Sequence, residues 1–159
     1  MLDTIFTIKF VHVLAAAAMF GTWLCLASFM VLAHRSGNTS VVALTTQFVV
    51  SVEKMVMIAA IALLPVSGFP LASAIGLSPL SELWIDISLV LYAVIVVCWI
   101  AAFRIEIRIR DLAREAALNA TRLPEPYRRL FRKWCMLAGP FLVGMMIVVA
   151  LMIWQPRLD

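Results

Sequence analysis

The chain alternates long apolar stretches with short polar segments. Four stretches, at 10–33, 55–77, 83–103 and 134–154, have 21 to 24 residues each, and together they hold a single Asp, Glu, Lys or Arg residue, Asp86. An α-helix rises 1.5 Å per residue, so about 20 apolar residues cross the ~30 Å hydrocarbon core of a bilayer. The pattern predicts an all-α, integral membrane four-helix bundle that forms one four-span domain.

Composition supports this class and excludes others. Hydrophobic residues make up 64% of the chain, charged residues make up 14%, and the mean hydropathy is +1.03. Soluble domains are about one-quarter charged, and disordered chains have low hydrophobicity, so neither class fits. The three cysteines form an odd set without a Cys-x-x-Cys motif, which excludes a disulfide scaffold.

The positive charges predict the orientation. Of the 13 Lys and Arg residues, nine lie in segment 104–133, and Arg35 and Lys54 flank the first loop. Both loops are on the same side of a four-span protein, and the positive-inside rule makes that side cytoplasmic. Both termini are therefore expected outside, which in a bacterial inner membrane means the periplasm. Trp84 and Trp154 are expected in the outer aromatic belt and Trp134 in the inner one.

The basic segment 104–133 is predicted to extend the third helix into the cytoplasm. Its composition favours helix, and Glu106 with Arg110 is an i,i+4 pair of the kind found on solvated helices. A turn is expected at 119–126, with Pro126 in the first turn of the fourth helix. Anionic lipid headgroups would account for the excess of positive charge. Nucleic acid is not expected as a partner, because no nucleic-acid-binding module accompanies the charge.

Ionisable groups inside apolar helices are the candidates for chemistry, because placing them there is costly. Lys9 and His12 are three residues apart and share one face of the first helix. Asp86 is expected at a similar depth on the third helix, whose start Ser78 as N-cap and Pro79 would mark. The alternative is that Asp86 only neutralises Lys9 in an ion pair.

His12 is the strongest candidate ligand. A neutral imidazole is a common metal ligand, and the small Ala16 one turn further leaves space for the face of a porphyrin. The alternative is a histidine that only forms a hydrogen bond to a neighbouring helix.

Methionines offer weaker candidates. Met145 and Met152 share a face of the fourth helix, so Met152 is a candidate second contact to a haem. Met55 and Met57 point to different faces, which weakens a copper site. His34 lies about 33 Å along the helix from His12, cannot share a metal with it, and is interpreted as an interface residue.

Helix breakers and small residues mark two further features. Pro65, Gly68 and Pro70 are expected to interrupt the second helix, either to shape a pocket against His12 or as an ordinary kink. A stripe of small residues on the first helix suits close packing against another helix. The stripe consists of Ala17, Gly21, Cys25 and Ser28.

Several motifs along the whole chain carry a family resemblance. They are Lys9-Phe10-Val11-His12, Leu64-Pro65-Val66-Ser67-Gly68, Trp84, Leu91-Tyr92 to Trp99, Arg108-Ile109-Arg110-Asp111-Leu112-Ala113, Leu123-Pro124-Glu125-Pro126-Tyr127, Arg132-Lys133-Trp134, Gly139-Pro140 and Leu151-Met152 to Pro156. With these motifs the chain resembles the bacterial predicted integral membrane proteins of domain-of-unknown-function family 2269. Its architecture is similar to that of copper-resistance D type domains and of four-helix, haem b-binding protoporphyrinogen oxidases. These proteins carry Lys-x-x-His near the start of the first helix, and the resemblance implies that His12 binds haem b.

The leading hypothesis is a haem b-binding redox protein with an outward-side pocket bounded by His12, Lys9, Asp86 and the second helix. His12 would be the axial ligand, Lys9 would meet a haem propionate or Asp86, and electrons would pass to quinone or a periplasmic partner. One alternative is a non-catalytic accessory or assembly subunit of a membrane complex, or a homo-oligomer. A second alternative is copper handling through His12 and methionines. The residues assign no catalytic activity.

Overall fold

The computed structural model describes residues 2–74, 76–77 and 82–156, and helices account for nearly all of them. The helices are α1 (Leu2–Ser36), α2 (Thr39–Val52), a π-helical turn (Glu53–Met57), α3 (Ile58–Ala74), α4 (Leu83–Leu118) and α5 (Glu125–Trp154). The segments from Thr39 to Ala74 follow one another without a break, and we call them the second long helix. All four long helices are long and apolar enough to cross a membrane. The predicted all-α, four-span architecture is confirmed.

The second long helix begins at Thr39, not near residue 55 as predicted, so most of the expected loop between Arg35 and Lys54 is helical. The Asn38 side chain caps the helix by accepting hydrogen bonds from the backbone N–H groups of Ser40 and Val41. Segment 39–52 has one buried face and one exposed face. A search for uniformly apolar stretches misses this segment, because Thr, Ser and Gln residues are interspersed among its apolar residues. At its other end the helix stops at Ala74, three residues before the predicted end of the span at residue 77.

The third long helix extends beyond its apolar span, as predicted, and α4 ends at Leu118. After a short turn, α5 begins at Glu125, with a proline in its first turn. Ser78 and Pro79, the predicted start of the third helix, lie outside the described residues, and α4 begins at Leu83.

The second long helix changes partners along its length. Its α2 half packs mainly against α4, its α3 half packs against α1, and the π turn lies where the change occurs. Helices α4 and α5 pack together as an antiparallel pair. One core cluster, which includes Met30, Ile109 and Tyr127, lies near the turns that join α1 to α2 and α4 to α5; we call this the loop end of the bundle. In a second core cluster the rings of Trp23 and Phe141 lie 4.7 Å apart. A wider π turn rotates the two halves of a helix relative to each other, which suits this change of partner.

The prolines do not interrupt the second long helix, which corrects the prediction. Segment Ile58–Ala74 is α-helical through Pro65 and Pro70. Pro65 has no N–H group, so the carbonyl of Ile61, four residues earlier, loses its helical donor. The hydroxyl of Tyr92 on α4 donates to this carbonyl at 2.6 Å. The freed backbone group is therefore satisfied by the protein, as an apolar environment requires.

Two tryptophans face the interior of the bundle. Trp84 is 6% exposed and Trp134 is 2% exposed, whereas Trp154 is 80% exposed. The predicted aromatic belts are therefore wrong for Trp84 and Trp134, because their side chains pack inside the bundle.

Candidate functional site

His12 forms a hydrogen bond across to α3. Its Nδ1 lies 3.0 Å from the hydroxyl oxygen of Ser67, and that hydroxyl lies 2.6 Å from the carbonyl oxygen of Leu63. A carbonyl can only accept, so the hydroxyl donates to Leu63 and accepts from the Nδ1–H group of His12. For a neutral imidazole, this arrangement leaves the lone pair on Nε2.

Gly68 gives the imidazole its place against α3. A Cβ atom at this position would lie 3.1 Å from Cε1 of His12 and 3.5 Å from Nδ1. The contact at 3.1 Å is tight, so a Cβ atom would require the ring or the helix to shift slightly, whereas 3.5 Å is ordinary van der Waals contact. Ser67 and Gly68 thus position His12 together, one through a hydrogen bond and the other through the absence of a side chain.

The other predicted site residues are not gathered around His12. Lys9 is exposed, and the ion pairs found among the described residues do not join it to Asp86. Asp86 is half-buried on α4 and takes part in another interaction. Met152 on α5 is 39% exposed, whereas Met145 is 2% exposed. Met145 therefore packs inside the bundle, whereas Met152, near the end of α5, is exposed at its surface.

The candidate copper ligands are separated as the spacing predicts. Met55 is 76% exposed and Met57 is fully buried, so the two side chains face in different directions. Within the described residues, no three His, Cys, Asp or Glu side chains form a group that could hold a metal ion.

His34 belongs to the interface between α1 and α5. Its Nδ1 lies 3.1 Å from the hydroxyl of Tyr127, and its ring stacks on Phe131 with centroids 3.8 Å apart. His34 lines a cavity of about 580 Å³ together with arginines that include Arg122 and Arg128. The arginines in its lining make this end of the bundle a basic surface.

Two buried glutamates form a polar cluster inside the bundle. Glu53 in the π turn and Glu106 on α4 are each 2% exposed. The indole N–H of Trp99 donates to Oε2 of Glu53 at 3.2 Å, and that of Trp134 donates to Oε1 of Glu106 at 2.5 Å. The carboxyl groups of Glu53 and Glu106 are close enough to interact with each other. We call these four side chains the carboxyl–indole cluster.

Sequence reasoning assigned Glu106 wrongly. It was predicted to pair with Arg110 on a solvated face, but it is buried, and Arg110 forms an ion pair with Asp111 at 2.8 Å. A signal was available in the sequence, because Glu106 falls on a stripe of apolar residues with alternating spacings of four and three. The buried members of this stripe are Ala102, Glu106, Ile109, Ala113 and Ala116.

Comparison with known proteins gives a family. A model of predicted integral membrane proteins, DUF2269, matches residues 6–156. The chain belongs to this family. No curated protein and no solved structure matches the chain.

DUF2269 membership and the four long apolar helices together show an integral membrane protein in contact with lipid. The match spans the first helix and the last, so it includes His12 as well as the carboxyl–indole cluster. The similarity to copper-resistance D type domains and protoporphyrinogen oxidases stays a prediction.

Proposed function

We propose that this DUF2269 protein binds haem b through His12 and acts as a redox protein. The hydrogen bond between His12 Nδ1 and Ser67 Oγ carries the proposal, because it directs the lone pair of the neutral ring to Nε2. Histidines that bind metals usually donate their other ring N–H group to a protein acceptor in this way. The lone pair on Nε2 supports a haem that takes one axial ligand from α1.

Each nearby residue has a distinct task in this proposal. His12 would hold the iron, Ser67 would keep the ring in its tautomer, and exposed Lys9 would meet a propionate. Bound haem supplies one-electron redox chemistry. Asp86 and Met152 stay candidate contacts from α4 and α5, but the proposal depends on His12 alone, since Met152 faces outward.

A visible spectrum of the purified protein, oxidised and reduced, tests haem binding. We expect a haem b signal in the wild type and its loss in His12→Ala. Ser67→Ala should weaken haem affinity about tenfold, which is the lower end of the effect seen when a partner of a metal ligand is removed. His34→Ala is the matched control, because it removes the other histidine and should leave the spectrum unchanged.

Two results would refute haem binding by His12. One is a folded wild-type protein that stays colourless after haem is added. The other is the same haem signal in His12→Ala as in the wild type. Metal analysis of the same samples checks the copper-handling hypothesis, which requires copper that depends on His12.

A second candidate function is an accessory or assembly subunit of a membrane complex. The small-residue stripe on α1 supports it, because Ala17, Gly21, Cys25 and Ser28 are all exposed. Nothing lies within 4 Å of the position that a Cβ atom of Gly21 would occupy. Small residues at such a surface allow the backbone of a partner helix to approach closely. Here the partner would be a helix of another subunit or of a second copy.

We further propose the bacterial inner membrane as the location, with both termini in the periplasm. The exposed arginines of α4, α5 and the turn between them support this orientation, since they lie at the loop end of the bundle. The same end would meet anionic headgroups, and the cavity beside His34 offers a place for a phosphate among Arg122, Arg128 and Arg132.

A further inference from the structure

We propose that Glu53 and Glu106 form a proton-binding site in which the two carboxyl groups share one proton. Both side chains are 2% exposed, and they meet between the second long helix and α4. The site is separate from His12 and does not depend on haem binding.

The hydrogen bonds leave one acceptor without a donor. Each indole donates one hydrogen bond to one carboxyl oxygen: Trp99 donates to Glu53, and Trp134 donates to Glu106. The second oxygen of Glu106, Oε2, is buried and has no hydrogen-bond partner among the described residues. A buried acceptor without a donor is costly, and the carboxyl of Glu53 is close enough to that of Glu106 to interact with it. A proton held between the two carboxyls supplies the missing donor.

The surrounding charges do not replace this proton. On α2 and the π turn, the nearest cation is Lys54, which is exposed; the neighbours on α4 and α5, Arg104 and Lys133, are exposed as well. On α1, Cys25 is exposed and His34 bonds to Tyr127. Two carboxylates in contact without a cation repel each other, and burial adds the cost of removing water from both charges.

A proton fits the cluster better than a metal ion. Calcium takes six to eight oxygen ligands, and magnesium requires six in octahedral geometry. The cluster offers four carboxyl oxygens, and two of them already accept from indoles. A single hydrogen needs only one oxygen from each carboxyl.

The backbone at Glu53 gives independent support. Glu53 opens the π turn, and π turns inside long helices are frequent at functional sites. The cluster lies about 20 Å from the loop end of the bundle, since Glu53 is 14 residues beyond Thr39 and Glu106 is 12 residues before Leu118. The proton is thus held where the second long helix passes from α4 to α1.

Infrared spectroscopy of the protein in detergent tests the shared proton, because protonated and ionised carboxyl groups absorb at different frequencies. At neutral pH we expect one protonated carboxyl per wild-type chain, lost when the pH is raised. Glu53→Gln and Glu106→Gln should each lose the whole signal, because the amide N–H replaces the shared proton. Glu115→Gln, a change at an exposed glutamate of α4, should retain it.

Several outcomes would overturn the proposal. They are a wild type without a protonated carboxyl at neutral pH, a signal that both Gln variants keep, and a signal equal to two groups per chain. Thermal unfolding in sodium, magnesium or calcium chloride at constant ionic strength distinguishes a metal site. If one cation stabilises the wild type but not the double Gln variant, the occupant is that cation. The wild-type pH titration keeps the test valid should a Gln variant not fold.

Discussion

Polar side chains make the specific contacts between the helices of this bundle. Apolar residues gain little by facing another helix in place of lipid tails, so hydrogen bonds and close packing set the arrangement. His12 bonds to Ser67, Tyr92 bonds to the carbonyl of Ile61, and His34 bonds to Tyr127. Each of these contacts joins two different helices.

Tyr92→Phe should destabilise the protein by about 1–3 kcal/mol. The change leaves the Ile61 carbonyl without a donor, because Pro65 has no N–H group to replace the lost hydroxyl. Thermal or denaturant unfolding in detergent measures the effect.

The same change in a Pro65→Ala background is the control. Alanine restores an N–H group that can donate to Ile61, so Tyr92→Phe should cost clearly less there. An equal cost in both backgrounds would show that Tyr92 acts through packing and not through the freed carbonyl.

At the scale of the elements, two glycines of α5 have opposite surroundings. A Cβ atom at Gly144 would lie 3.1 Å from Cγ1 of Ile95 on α4, whereas a Cβ atom at Gly139 would meet nothing within 4 Å. Ile95 is 4% exposed and β-branched, so its side chain has little freedom to move away. The close approach of α4 and α5 depends on the glycine at 144.

Gly144→Ala should therefore destabilise the protein by about 1–3 kcal/mol, the usual cost of overpacking. Gly139→Ala is the matched control on the same helix, and it should be neutral or stabilising by up to ~1 kcal/mol, because alanine favours helix over glycine. Unfolding of the two variants side by side provides the measurement. If Gly144→Ala were as stable as Gly139→Ala, Ile95 would not limit the approach of the two helices.

The whole molecule has large side chains in its interior and an apolar, lipid-facing surface, which a strip of small residues interrupts on α1. Exposed leucines, valines, isoleucines and phenylalanines cover most of the outside, as lipid contact requires. The small-residue stripe of α1 interrupts this cover, and its members Gly21 and Cys25 line a groove together with Phe29, Phe48 and Val52. A partner helix at this groove is the basis of the second candidate function.

Gly21→Leu should leave the isolated chain folded, because space is open at this position, but it should remove a partner that packs on the stripe. Purification in mild detergent, followed by mass and stoichiometry of the complex, measures the loss. Gly139→Leu places the same side chain on an open glycine of α5 and should keep the partner. A wild-type chain that is monomeric and stable in mild detergent, or a partner retained by Gly21→Leu, would argue against docking at the stripe.

Sequence reasoning predicted the number of spans and the extension of the third helix, because apolar length and helix composition are local properties. It missed the first half of the second long helix, because polar residues such as Thr45 and Gln47 interrupt the apolar ones there. It also interpreted Pro65 and Pro70 as a break, since a sequence does not show that Tyr92 satisfies the freed carbonyl of Ile61.

The sequence by itself determined that this is a four-span, all-helical membrane protein, since the free energy of crossing a bilayer depends on the length and apolarity of each segment. It also determined that His12 is a costly residue in an apolar helix. Only the tertiary structure decided which way the polar side chains face. Glu106 could be solvated beside Arg110 or buried beside Glu53. The neighbours brought by the π turn and α5 decide between the two, because burial and hydrogen-bond partners come from other helices.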